Sequence, residues 1–173
     1  MHYIKGRPGD QANVRLAHLQ PLGFSLFLKQ SLREVEIIVE FSDHCYSEKY
    51  DPDKHGPLGR TARSDKGNER VFDEERYRLS LRLPELVRNL AGKRIVQTKN
   101  STLVRINLSM EVEYAIFFTL KKAGVCECKM YVISAYPLDA GRKNSIVATG
   151  EMKFDVAVGL VMQGKKPKFP QRR

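Results

Sequence analysis

Residues 94–138 hold the pattern that most restricts this chain. "RIVQT" and "TLVRINL" flank Lys99, Asn100 and Ser101, and "EYAIFFTLKK" and "CECKMYVISAYPL" flank "AGV". All four segments favour extended backbone, being rich in β-branched and aromatic residues. Connectors this short join only antiparallel neighbours, because a parallel crossover needs a dozen or more residues. The segments therefore predict an antiparallel meander of about four strands.

Elsewhere the signals are mixed. Val35, Ile37, Val39 and Phe41 alternate with Glu36, Ile38, Glu40 and Ser42, the period of a strand with one wetter face. Continued onward, that alternation puts His44 and Tyr46 on the wetter side. "FDEERYRLSLRLPELVRNLAGK" reads as helix, with Asp73 as cap, Leu79, Leu83, Leu86, Val87 and Leu90 as the apolar stripe, and Gly92 as stop. Pro84 predicts a kink or two short helices. Residues 48–70 are rich in Gly, Pro and Asp, lack apolar periodicity, and read as a flexible loop. "FDVAVGLVMQGKK" leans helical. The expected fold is α+β: a curved antiparallel sheet with helical cover, preceded by a strand-rich N-terminal segment. Its divisions are an extension over 1–34 packing on the core, one domain over 35–165, and a basic tail over 166–173.

The chain of 173 residues carries a formal net charge of +10 and a pI near 9.6. Such a balance attracts polyanions, so RNA or another nucleic acid is the expected partner. Arg76, Arg78, Arg82, Lys99, Lys165, Lys166 and Lys168 are the candidate phosphate contacts; a solvated surface is the alternative for each. No signal peptide or membrane span is apparent, and the odd set Cys45, Cys126 and Cys128 excludes a full disulfide framework. A cytoplasmic protein with reduced thiols and no membrane association is expected. Cys126-x-Cys128 with His44 and Cys45 lacks zinc-knuckle spacing, so neither metal nor other cofactor is expected. Phosphate-loop, nucleophile-elbow and H-E-x-x-H motifs are absent from the sequence.

The polar residues with chemistry to offer are His44, Tyr46, Thr119, Ser134 and Tyr136. RNA can be cleaved without metal when its 2′-hydroxyl attacks the adjacent phosphate, given a general base, a general acid and cations. Histidine suits the proton transfers, tyrosine can donate or orient, and Lys or Arg offsets the developing charge. Each residue also has a structural role available: a strand end for His44, a proline turn for Tyr136, plain β-propensity for Thr119.

"FSDHCYS", "FDEERYRLSLRLPELVRNL", "EYAIFFTLKK" and "KMYVISAYP" resemble, in that order, a set of uncharacterised bacterial and prophage proteins. Their pattern is an F-S-x-H-x-[FY]-[ST] strand end, an R-Y-x-x-S-x-x-L-P helix, an aromatic-rich strand and a V-x-S-A-Y strand. The latter half is also similar to the barnase–EndoU–colicin–RelE group of metal-independent RNases. That resemblance implies a four-stranded sheet with an open active face, Thr119, Ser134 and Tyr136 on or beside it, and His44 as acid–base residue. It also implies a toxin or defence nuclease, a hydrolase of prophage type, with an antitoxin or other protein as partner. The alternative is a non-catalytic basic module that binds nucleic acid or a nucleic-acid-binding protein, a phage-encoded inhibitor among the options.

Overall fold

In the computed structural model, residues 3–4, 14–56, 61–65, 68–109, 112–139 and 146–170 are described. Parts of the 1–34 extension and of the 48–70 stretch, and Arg172 and Arg173 of the tail, lie outside them. The described elements are β1 (Tyr3–Ile4), β2 (Val14–Arg15), β3 (Leu22–Leu28), β4 (Arg33–Phe41), β5 (Ser47–Lys49), α1 (Pro52–His55), β6 (Thr61–Asp65) and β7 (Asn68–Phe72). They continue as α2 (Glu74–Ser80), α3 (Leu83–Arg88), β8 (Arg94–Gln97), β9 (Thr102–Asn107), β10 (Glu113–Lys122), β11 (Glu127–Leu138), β12 (Gly150–Lys153) and α4 (Phe154–Met162).

The fold is α+β with a curved sheet. The meander β8–β9–β10–β11 is antiparallel throughout. It is the middle of a seven-stranded sheet ordered β12-β8-β9-β10-β11-β4-β3, where about four strands were expected. The added strands are long-range partners: β4 runs parallel to β11, and β12 runs antiparallel to β8. Local alternation shows which face of a strand is buried; it does not show which neighbour completes the hydrogen-bond ladder. β3, from the 1–34 segment, closes the far edge against β4.

Residues 48–70, expected as loop, contain most of β5, all of α1 and β6, and most of β7, and β5-β7-β6 form a small antiparallel sheet. This polar stretch is ordered by backbone ladders and by side-chain hydrogen bonds such as that from the Tyr50 hydroxyl to the Gly56 carbonyl at 2.7 Å, and neither leaves an apolar period to read. The helical region does divide in two. Asp73 accepts from the Arg76 amide at 3.0 Å to cap α2, and Pro84 sits in the first turn of α3, where no amide is needed.

One sheet face and the helices enclose the core. Val35, Ile37, Val39, Tyr114, Ile116, Phe118, Met130 and Val132 meet Leu83 and Val87 of α3, Leu90 just after it, and Phe154, Ala157 and Val158 of α4. Each large side chain buried there contributes about 1.5–3 kcal/mol. The other face carries a smaller cluster of Val96, Leu103, Ala115 and Leu138, with Phe117, Tyr136, Ile146 and Ala148 against it. α4 ends at Gly164, whose φ of 74° permits the reversal. The Gly164 amide donates to the Val161 carbonyl and the Lys165 amide to that of Leu160, both at 2.9 Å, a Schellman arrangement. The chain then doubles back towards β12, where the Glu151 amide donates to the Pro170 carbonyl at 3.3 Å.

Candidate nucleic-acid interface

Three regions contain the sequence-predicted residues. The first is the end of β4. Alternation does not continue past Phe41: Asp43–Cys45 form a 3-10 turn, which re-aims His44 independently of the strand's pleat. The Ser42 hydroxyl donates to the Ile133 carbonyl and its amide to that of Val132, fastening the turn to β11. The Ser47 hydroxyl donates to the Asp43 carbonyl at 2.6 Å.

Two arginines brace this turn. Arg70 donates from Nε to Ser47 Oγ at 2.8 Å and from Nη2 to the Ser47 carbonyl at 2.7 Å. Arg76 donates from Nη1 to the carbonyls of Ser47 at 3.0 Å and His44 at 3.3 Å, and its Nε lies 3.3 Å from Asp73 Oδ2. The Arg76 guanidinium also covers the Tyr136 ring, which stacks on Phe117 with centroids 5.2 Å apart. The His44 side chain remains 43% exposed, with Nε2 3.8 Å from Asp43 Oδ1. Burial lowers its pKa, as does Arg70 and, more weakly, Arg76, against the opposing pull of Asp43. The imidazole is therefore neutral at neutral pH, the form that accepts a proton. Beneath the turn, burial pushes the Cys45 thiol up to about 12. The Tyr114 hydroxyl is buried without a hydrogen-bond partner among the described residues and has its pKa raised by the same cause.

Thr119 is elsewhere. Across the β10–β11 ladder it faces Tyr131, whereas Tyr136 faces Ala115 and Ser134 faces Phe117. Four positions along β10 separate Thr119 from the residue opposite Tyr136, a distance of about 13 Å. A bulge adds to the shift: Phe117 pairs with Ser134 and Phe118 with Val132, which leaves Ile133 as the extra residue.

The second region is the outer half of that sheet face. Thr119, Lys121, Lys129 and Tyr131 point to the same side, with Tyr131 40% exposed. Glu40 of β4 lies opposite Tyr131, and its carboxylate holds Lys129 Nζ at 2.6 Å. Sequence reasoning missed Lys121, Lys129 and Tyr131. The signal was present in "CKMYVIS", where Met130 and Val132 take the buried phase and leave Lys129 and Tyr131 on the open one.

The third region is a cavity of about 360 Å³ beside the β8–β9 turn, lined by Lys99, Thr119 and Lys166 among others. Arg78 and Arg82 are exposed on the helical segment, Lys168 is exposed after α4, and Lys165 donates to Gln163 Oε1 at 2.9 Å. Tyr46 packs against the core at the base of the His44 turn. Among the described residues no group of three or more His, Cys, Asp and Glu side chains is placed to hold a metal ion. Among them, too, no helix is long and apolar enough to cross a membrane.

No curated protein and no solved structure matches the chain. A family model does, over residues 3–162: the chain belongs to the YjaZ family.

Proposed function

We propose that this protein binds single-stranded nucleic acid, RNA foremost, across the open half of its sheet. The observation that carries the reading is the exposed Tyr131 ring beside the cross-strand pair Lys121 and Lys129 on one sheet face. A base stacks on such a ring regardless of its identity, and the two lysines beside it on the same face meet the adjoining phosphates. The charge of +10 draws the polymer in. In this reading the protein is a cytoplasmic, non-catalytic module, and Lys129 exchanges Glu40 for phosphate on binding.

Fluorescence anisotropy with a labelled single-stranded RNA tests it. Tyr131→Ala should weaken binding by about 1–3 kcal/mol, the value of one stacked base. Lys121→Ala should reduce the salt slope by about 0.7 for a single strand. Unchanged affinity in Tyr131→Ala, or no binding by the wild type, overturns the reading.

His44 supports a second reading, a metal-independent endoribonuclease of toxin or prophage type, with an antitoxin as partner. A neutral imidazole beside two guanidinium groups can take the 2′-hydroxyl proton as that oxygen attacks phosphorus and the 5′-oxygen leaves. Tyr136, Tyr46 or Ser134 would return a proton to the leaving oxygen. Thr119 stands on the same sheet face, four positions along β10 from the residue opposite Tyr136. Incubation of RNA with EDTA present, comparing wild type with His44→Ala, divides the readings. Fragments with 2′,3′-cyclic phosphate ends from the wild type alone establish the nuclease; intact RNA with both leaves the binding module.

A further inference from the structure

The cavity beside the β8–β9 turn has a composition unlike the surfaces around it. Its volume of about 360 Å³ lies within the range of small-molecule sites. One wall is the turn itself, where Gln97, Lys99, Asn100, Ser101 and Thr102 supply amides, hydroxyls and an ammonium. That wall is rigid: Thr98 Oγ1 accepts from the Ser101 amide at 3.0 Å, and the Thr98 amide donates to the Ser101 carbonyl at 2.8 Å.

The remaining walls are apolar almost throughout. Phe118 and Leu120 come from β10, Ala157 and Val161 from α4, and Pro167 and Phe169 from the segment after Gly164. Lys166 stands on that segment as a second cation, and among the described residues no carboxylate lines the space. The cavity exists because, among the described residues, β9 pairs with β10 only as far as Phe118. Thr119–Lys122 run on past it, and the returning C-terminal segment roofs the gap.

We propose that this cavity binds an amphipathic monoanion, a medium-chain aliphatic carboxylate. The carboxylate would lie between the turn wall and the ammonium groups of Lys99 and Lys166, which would hold it by charge-assisted hydrogen bonds. The chain would lie along Phe118, Leu120, Val161 and Phe169, removing their apolar surface from water. A nucleobase fits less well, because its ring nitrogens and carbonyls would face the apolar walls without partners. The site adjoins the Tyr131 face only through Thr119, which pairs with Tyr131 across the ladder, and does not rest on the nucleic-acid reading.

Isothermal titration of the full chain with sodium decanoate tests the proposal, with decanol and uridine monophosphate as the comparison ligands. Decanoate should bind with one-to-one stoichiometry and at least about tenfold more tightly than decanol. Lys99→Ala/Lys166→Ala should bring decanoate down to the level of decanol; both lysines are exposed, so the variant folds. The sequence contains no Trp, so Thr119→Trp places a single fluorophore at the mouth, and its emission should shift as decanoate saturates. The absence of decanoate binding, equal affinity for decanol, full affinity in the double variant, or tighter binding of uridine monophosphate each overturns the proposal. Tyr131→Ala should leave decanoate binding intact, which keeps the two sites distinguishable.

Discussion

The guanidinium of Arg76 lies 5.0 Å from the centroid of the Tyr136 ring. The same side chain holds the His44 and Ser47 carbonyls and the Asp73 carboxylate, so one residue ties the β4 end, the cap of α2 and β11 together. Sequence alone marks Arg76 as a candidate phosphate contact. In the fold it is only 12% exposed and works as a brace.

Arg76→Ala should therefore destabilise the protein by about 1–3 kcal/mol, because it removes the donor to the His44 carbonyl and one of the two donors to the Ser47 carbonyl, where Arg70 remains. Arg76→Lys should recover little, since an ammonium lacks the planar fork that reaches several acceptors and stacks on the ring. Urea denaturation midpoints at constant m-value measure both. A midpoint equal to wild type in Arg76→Ala would show that the brace is dispensable.

Acid should weaken the fold through its histidines. Burial lowers the pKa of His18 and, with Arg70 and Arg76 adding to it against Asp43, that of His44, both below the ordinary 6.5. The unfolded chain then binds protons more readily than the folded one, so stability rises with pH across that window. It is fully present above about 6.5 and falls as pH drops towards the folded values. His44→Gln should reduce the loss of stability measured by urea denaturation between about pH 7.5 and about pH 5.5. An identical pH dependence in wild type and variant would remove His44 from the account.

Gly150→Ala should displace the C-terminal segment. A Cβ there would stand 2.6 Å from the Pro170 carbonyl oxygen and 2.7 Å from Phe169 Cβ. Phe169 roofs the cavity and packs on the core, so the strain should cost about 1–3 kcal/mol. Limited proteolysis after α4 should become faster than in wild type. Equal cleavage rates would mean that the segment tolerates the methyl group.

The three thiols should differ sharply in reactivity. Cys126 is exposed, while burial raises Cys45 to about 12 and Cys128 to about 11. Thiolate is the reactive form, so titration with a disulfide reagent should label Cys126 at once and the other two only as the protein unfolds. Rapid labelling of two or more thiols in the native protein would contradict this burial.

Much of the frame was legible locally. Alternation with short connectors gave the meander, Asp73 and Pro84 marked the start and the division of the helical region, and "FDVAVGLVMQGKK" contained α4. The site was less legible. His44 departs from its strand phase because Ser42 caps a 3-10 turn, and "SDHC" signals a turn only once β4 is known to end at Phe41. Lys121, Lys129 and Tyr131 were readable from the pleat of β11, yet their importance depends on that half of the face being left uncovered.

By itself, then, the sequence determined which segments are extended, which are helical, which side of each is apolar, and a charge suited to polyanions. These are properties of neighbouring residues, set by backbone geometry and the period of side-chain direction. Tertiary structure alone decided that β4 runs beside β11, that residues 48–70 contribute to a second sheet, and that Thr119 and Tyr136 stand well apart along one sheet face. Those outcomes depend on hydrogen-bond partners distant in sequence and on one bulged residue, Ile133, whose register no local pattern encodes.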